Sequence, residues 1–292
     1  MSSRRVNIEK ELFKSINEEE NNSIVIFNDY LNTSDFKFSK LENDGDSGNL
    51  LLAISKKDSS LKYIVKHEYY DSACNEYMFS KIAHSVGVLT PDVKLFIVDD
   101  KKNLFKSNFV CGIRYLENSK LMKEKDLISN KRYIEEYIKM IALGYILDEG
   151  DGVEVIEYNN DIYRIDATSS FKLSHLFIQP IAYINCREDI KKNSEKFLHK
   201  LSSSFGSREF LWNYSLKNIS DLFGEKYISS YIDVFKKVLQ IDSLESEKWI
   251  SNLVYIYPNI VGDYYRNYIY NLKNDLGSYL NSLDEKVKVK RY

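Results

Sequence analysis

The sequence predicts an α+β chain of two lobes, an antiparallel sheet carrying one helix followed by a mainly helical lobe. Three observations carry this reading. Composition changes once, near Ser119: short β-rich runs alternate with polar turns before it, and apolar residues recur at helical spacing after it. The 292 residues exceed what one small domain needs and suit two lobes sharing an interface. The stretch Glu117 to Asp126 joins the two parts and is short enough to be a hinge, so the lobes are expected over residues 1–118 and 119–292.

In the first lobe, Ser23 to Phe27 has strand character. Leu50 to Ser55 and Leu61 to Lys66 are two further strands, joined by the polar turn Lys56 to Ser60. A helix follows from about Ser72 to Val86, with Ala73, Tyr77, Ile82, Ala83 and Val86 near one face and Gly87 as its stop. Val93 to Val98, the charged turn Asp99 to Asn103, and Asn108 to Tyr115 complete an antiparallel sheet of about five strands.

The second lobe opens on a helix from about Lys131 to Leu147. Its Ile134, Tyr137, Ile138, Ile141 and Tyr145 recur at three and four residues, so one face is buried. The acidic loop Asp148 to Gly152 leads into a hairpin of Val153 to Tyr158 and Ile162 to Ile165, turned at Asn159-Asn160-Asp161. From about Asp189 onward only helices are expected, with stops near Gly206, Gly224, Pro258 and Gly277. Trp212, Trp249 and the tyrosine-rich run Tyr255 to Tyr270 read as core packing, with a peptide-docking face as the lesser alternative.

Bulk properties narrow the function classes. A net charge of −2 gives no basic excess for nucleic acid or anionic lipid. Cys74, Cys111 and Cys186 are widely separated and form no CxxC pair, which suggests a reducing compartment. His67, His84, His175 and His199 have no metal-ligand spacing. Met1 to Glu20 lacks a signal-peptide apolar core, and no apolar run approaches the roughly 20 residues that span a bilayer. A soluble, cytoplasmic protein is expected, with non-Sec export to a host as the exception.

Two groups of residues carry chemistry. Lys66 ends a strand behind Tyr-Ile-Val, and Glu76 follows ten residues later inside the next helix. A strand lysine paired with a helix glutamate is a device for holding a nucleotide's phosphates. Asp166 ends the hairpin, and an acidic loop precedes that hairpin. Phosphoryl transfer needs these parts: a cation on the phosphates, carboxylates for Mg²⁺, and a group that positions the attacking hydroxyl.

Tyr63-Ile-Val-Lys66, then Asn75-Glu76-Tyr77, then Gly87-Val-Leu-Thr-Pro91, resemble the HipA-like and CtkA-like bacterial Ser/Thr kinases. Residues 146–171 are similar to that family's catalytic and metal-binding region, so the resemblance covers roughly residues 45–171. It implies a two-lobed protein-kinase-like fold, ATP and Mg²⁺ as cofactors, and a protein substrate, with a small regulatory partner protein as a further partner. It also implies roles. Lys66 contacts the ATP phosphates and Glu76 anchors it. Asp148 or Asp151 orients the substrate hydroxyl and accepts its proton. Asp166 binds Mg²⁺, with Glu154 where kinases place an asparagine for a second ion. Ile113 to Glu117, with Tyr115 and Glu117, forms a hinge reading adenine, and Gly45 and Gly48 cover the phosphates.

Asp148 is preferred as the catalytic acid because it follows the apolar helix and lies eighteen residues before Asp166; Asp151 and Glu149 stay open. Thr168, Ser169 and Ser170 read first as a polar loop and second as an autophosphorylation site. The competing functions are a pseudokinase that holds a partner without phosphotransfer, and a small-molecule kinase on the same fold. An unrelated α+β protein is the remaining alternative.

Overall fold

The computed structural model describes residues 29–41, 50–66, 70–99, 105, 109–149, 152–172, 205–256 and 259–289. The expected strand at Ser23 to Phe27, the glycines Gly45 and Gly48, Asp151, Cys186 and three of the four histidines lie outside these residues.

The first lobe is a six-stranded sheet built from β1 (Tyr30–Asn32), β2 (Phe36–Lys40), β3 (Leu50–Ser55), β4 (Lys62–Lys66), β5 (Val93–Ile97) and β6 (Phe109–Arg114), in the order β1-β5-β6-β4-β3-β2. Helix α1 (Tyr70–Val86) follows β4 and ends at Gly87, whose φ of 78° suits a residue without Cβ. The sheet is not purely antiparallel as expected, because β1 pairs with β5 in parallel.

Strand alternation sorts the side chains onto two faces. Tyr63 and Val65 of β4 join Phe36, Ala53, Phe96 and Val110 in an outer cluster. There the rings of Phe36, Tyr63 and Phe96 meet edge-on, at centroid distances of 5.1–6.0 Å. Lys66 falls on the other face, opposite Cys111 and toward α1. That face merges with the second lobe into one continuous core.

The second lobe begins earlier than its expected helix. The linking segment contains β7 (Lys120–Leu121) and α2 (Glu124–Ser129), so it is structured and not a bare hinge. β7 pairs with β8 (Glu154–Tyr158), which pairs with β9 (Asp161–Ile165). Asn159 and Asn160 both have positive φ, 50° and 64°, giving a tight two-residue turn that asparagine tolerates.

Helix α3 (Ile134–Ile146) is the central element; Ile134, Tyr137, Ile138, Leu143 and Ile146 are among its buried residues. Against it pack α4 (Phe205–Phe223) and α5 (Ile228–Gln240), while α6 (Ser243–Ile256) packs on α7 (Asn259–Val289), which in turn lies against α4 and α5. Trp212 of α4 meets Phe235 and Tyr279 edge-on, each at 5.3 Å, and its indole N–H donates to the Tyr145 carbonyl. Truncating a buried indole of this kind to alanine costs about 3–5 kcal/mol.

Gly224, φ 94°, ends α4 as expected; α6 ends at Ile256 and α7 begins at Asn259, and the expected stop at Pro258 lies outside the described residues. Two expected stops are corrected. Gly206 lies in the first turn of α4, and Gly277 lies inside α7. The buried stripe Val261, Tyr264, Tyr265, Tyr268, Leu272, Leu276 and Tyr279 runs straight through Gly277. Continuous packing overrides the cost of one helical glycine, about 1 kcal/mol. The tyrosine run is accordingly core for Tyr264, Tyr265 and Tyr268, while Tyr255 and Tyr270 are exposed.

Helix α1 is tied to the last helices. Asn252 of α6 donates to the hydroxyl of Tyr77 at 2.9 Å and to Asp29 at 3.2 Å, and Tyr77 donates to Asp29 at 2.8 Å. Among the described residues no helix is long and apolar enough to cross a membrane.

Candidate active site

The site lies where the end of β4, helix α1 and the end of β9 meet. Lys66 Nζ is 2.6 Å from Glu76 Oε1 and 2.7 Å from Asp166 Oδ1. The structure thus brings together three residues spread over a hundred positions of sequence. Burial alone disfavours the ammonium, but the two carboxylates outweigh it and raise the pKa of Lys66. Burial likewise acts upward on Asp166, and Lys66 reverses it, so that carboxyl titrates below its usual range. One ammonium against two carboxylates leaves the cluster with a net negative charge. Glu76 is buried, while the Asp166 side chain is 44% exposed and open to a ligand.

Asp166 leaves β9 with φ 57°, a left-handed turn that aspartate adopts more readily than most residues. Thr168 Oγ1 donates to the same Oδ1 at 2.9 Å. The Thr168 carbonyl accepts from Asn75 Nδ2 at 2.7 Å, so the segment after Asp166 is fastened to α1.

The acidic loop is arranged differently from the sequence reading. The Asp148 side chain is 1% exposed, and its Oδ2 accepts from Arg208 Nη2 and from the Tyr268 hydroxyl, both at 2.8 Å. Arg208 also pairs with Asp275 at 2.8 Å. Spacing favoured Asp148 as the proton acceptor, but the folded chain gives this carboxylate an internal partner and almost no open surface. Glu149, 2% exposed, sits 3.1 Å from Arg164 Nη2 and accepts from the hydroxyls of Ser169 and Ser170. Arg164 is fully buried and also donates to the Gly152 carbonyl at 2.7 Å. Both flanks of the loop are therefore anchored. Asp151 lies outside the described residues.

The remaining expected residues are placed as follows. Glu154 starts β8 with an exposed side chain, opposite Ile165 and so beside the residue preceding Asp166. In the segment Ile113 to Glu117, whose backbone groups were expected to read adenine, the Tyr115 N–H donates to the Lys62 carbonyl at 3.0 Å. Glu117 pairs with Lys62 at 2.9 Å across the same edge. The hydroxyls of Thr168, Ser169 and Ser170 are engaged with Asp166 and Glu149, in keeping with a polar loop.

Sequence reasoning missed Arg164 and Arg208. Arg164 had a signal: in Asp-Ile-Tyr-Arg-Ile it shares the buried face with Ile162, where a cation needs a partner. Arg208 had none, because its partners lie 60 and 67 residues away.

A curled sheet with one helix, a strand lysine held by a helix glutamate, and a helical second lobe define a two-lobed kinase-like fold. A solved structure that shares it is the Helicobacter pylori proinflammatory kinase CtkA. The TM-score is 0.57 at 12% identity, over 89% of this chain and 99% of that one. No protein-family model and no curated protein matches the sequence.

Proposed function

We propose that the chain is an ATP- and Mg²⁺-dependent phosphotransferase acting on Ser or Thr hydroxyls of a protein, itself included. The observation that carries this is Lys66 held between Glu76 and Asp166. In this reading residues 1–118 take the nucleotide and residues 119–292 supply the loop and hairpin of the reaction centre.

The residues present fit the cofactor. Asp166 offers a half-open hard oxygen donor beside a net negative cluster, which suits Mg²⁺. Lys66, fixed in place by Glu76, supplies positive charge for phosphate oxygens, and Glu154 is the candidate second carboxylate. Bound Mg²⁺·ATP would supply the transferable phosphoryl group and neutralise its charge. With Asp148 and Glu149 committed to Arg208 and Arg164, Asp151 is the loop acid left to accept the hydroxyl proton. A cytoplasmic site of action and a protein partner belong to the same proposal.

Incubation with ATP and Mg²⁺, followed by mass spectrometry beside an Asp166→Ala variant, tests it. Phosphate on a Ser or Thr of the wild type and not of the variant is the expected result. Absence of phosphate together with no nucleotide-induced rise in melting temperature would end the reading.

One observation favours a pseudokinase. Two of the three loop acids are buried against arginines, as in a loop kept for shape. On that reading nucleotide binds weakly or without metal, and function survives Asp166→Ala.

A further inference from the structure

The Lys66–Asp166 site is connected by an unbroken line of hydrogen bonds to the C-terminal helix. Tyr265 of α7, fully buried, donates its hydroxyl to Asn75 Oδ1 at 2.8 Å. The other end of that amide, Nδ2, donates to the Thr168 carbonyl at 2.7 Å. Thr168 Oγ1 then donates to Asp166 Oδ1 at 2.9 Å, the oxygen that Lys66 also holds.

Asn75 and Glu76 are neighbours on α1, about 100° apart around the helix. One side chain reaches the segment after Asp166 and the other reaches Lys66. The helix therefore grips both partners of the site at once. From these contacts we propose that Tyr265 and Asn75 are positioning residues, through which helix α7 sets the orientation of Asp166. The proposal rests on the phosphotransfer reading and deepens it.

The Asn75 amide is two-ended, an acceptor oxygen at one end and a donor NH₂ at the other. An asparagine side chain can be rotated by half a turn at little cost in shape. Rotated here, its oxygen would face the Thr168 carbonyl oxygen and repel it. The Thr168 carbonyl can only accept and so fixes the amide's orientation, and the Tyr265 hydroxyl then donates to the oxygen at the near end and holds it there.

Helix α7 also fixes the far end of the same segment. The Tyr264 hydroxyl donates to the Phe171 carbonyl, and the Phe171 ring meets Tyr265 and Tyr268 edge-on at 5.3 and 5.2 Å. Phe171 has φ 64°, and its N–H donates to the Leu147 carbonyl at 2.7 Å. The stretch from Asp166 to Phe171 is thus held by α7 directly at Phe171 and, through Asn75 of α1, at Thr168.

Tyr265→Phe removes the hydroxyl and keeps the ring, so it is the first test. Thr168→Val, at a half-buried position, breaks the same line two links on. Tyr279→Phe is the control, since it deletes a buried hydroxyl of α7 that bonds Asn213 instead. For each protein the rate of phosphate incorporation is followed against Mg²⁺ concentration. The dissociation constant of Mg²⁺·ADP is measured by calorimetry, and the melting temperature is recorded alongside.

Tyr265→Phe is expected to raise the half-maximal Mg²⁺ concentration and the Mg²⁺·ADP dissociation constant by roughly tenfold. Tyr279→Phe leaves both unchanged. The double variant Tyr265→Phe, Thr168→Val should lose less than the product of the single losses, because both act on one line. If the wild type is active and Tyr265→Phe matches Tyr279→Phe in rate and dissociation constant, the positioning proposal is wrong and phosphotransfer stands. If the wild type neither transfers phosphate nor binds Mg²⁺·ADP, both fall. If it binds without transfer, the calorimetric comparison alone decides.

Discussion

Arg208 is the side chain on which the second lobe's internal electrostatics turn, and Arg208→Met probes it with little change in volume. Its guanidinium lies 2.8 Å from Asp148 and 2.8 Å from Asp275, and 4.9 Å from the Tyr268 ring centroid. All of these groups are buried, so removing the cation leaves two carboxylates in a poorly solvating interior. Breaking a buried ion pair from one side costs about 3–5 kcal/mol. With an unfolding entropy near 2.1 cal/mol/K per residue over 292 residues, this lowers the melting temperature by about 5–8 °C.

The sign of the pH dependence follows from Asp275. Burial raises its pKa, and Arg208 only partly offsets that. Without Arg208 the folded-state pKa rises further above the unfolded value. Protonation then relieves the folded state, so stability lost at high pH returns as pH falls. Calorimetric melting should show a larger deficit at about pH 8 than at about pH 5. A deficit under about 2 °C, or an equal one at both pH values, would refute the claim that the guanidinium neutralises buried acids.

Two further outcomes are expected. A Cβ at Gly112 would stand 2.3 Å from the Phe96 ring, which Phe36 and Tyr63 hold in place; Gly112→Ala should therefore cost about 1–3 kcal/mol, and unchanged melting would contradict this close approach. Asp29 is held at a pKa of about 2, because hydrogen bonds from Lys81 and Lys94 outweigh the upward push of burial. Its contribution of about 2 kcal/mol is present above its unfolded value near 4 and lost as pH falls toward 2. The melting curves of wild type and Asp29→Asn should therefore converge in acid, and curves that stay parallel there would show that the carboxylate is not so paired.

Much of the fold could be read because its signals are local. β3 occupies the expected residues, and α1, α3, β5, β6 and the Asn159-Asn160 hairpin differ from expectation by a few residues at their ends. Lys66 and Glu76 were legible together, since an apolar strand end and a helix ten residues later leave few other ways to meet. β1 and β2 were not, because Tyr30–Asn32 and Phe36–Lys40 are polar edge strands in which Phe36 alone is buried. Spacing alone ranks the acids after α3, which puts Asp148 first and leaves Asp151 and Glu149 open. What separates them is Arg164 and Arg208, and partners drawn from distant elements leave no spacing to read.

The bond between Asn252 and Asp29 spans 223 positions of sequence, and Tyr265 reaches back 190 to Asn75. A chain emerging from the ribosome therefore makes its sheet long before the residues that secure α1 exist. Such distant closures are slow, and they leave an unfinished surface exposed while translation continues. The bonds that secure α1 form only once α6 and α7 have been synthesised and docked, so the lobe made first is the one completed last.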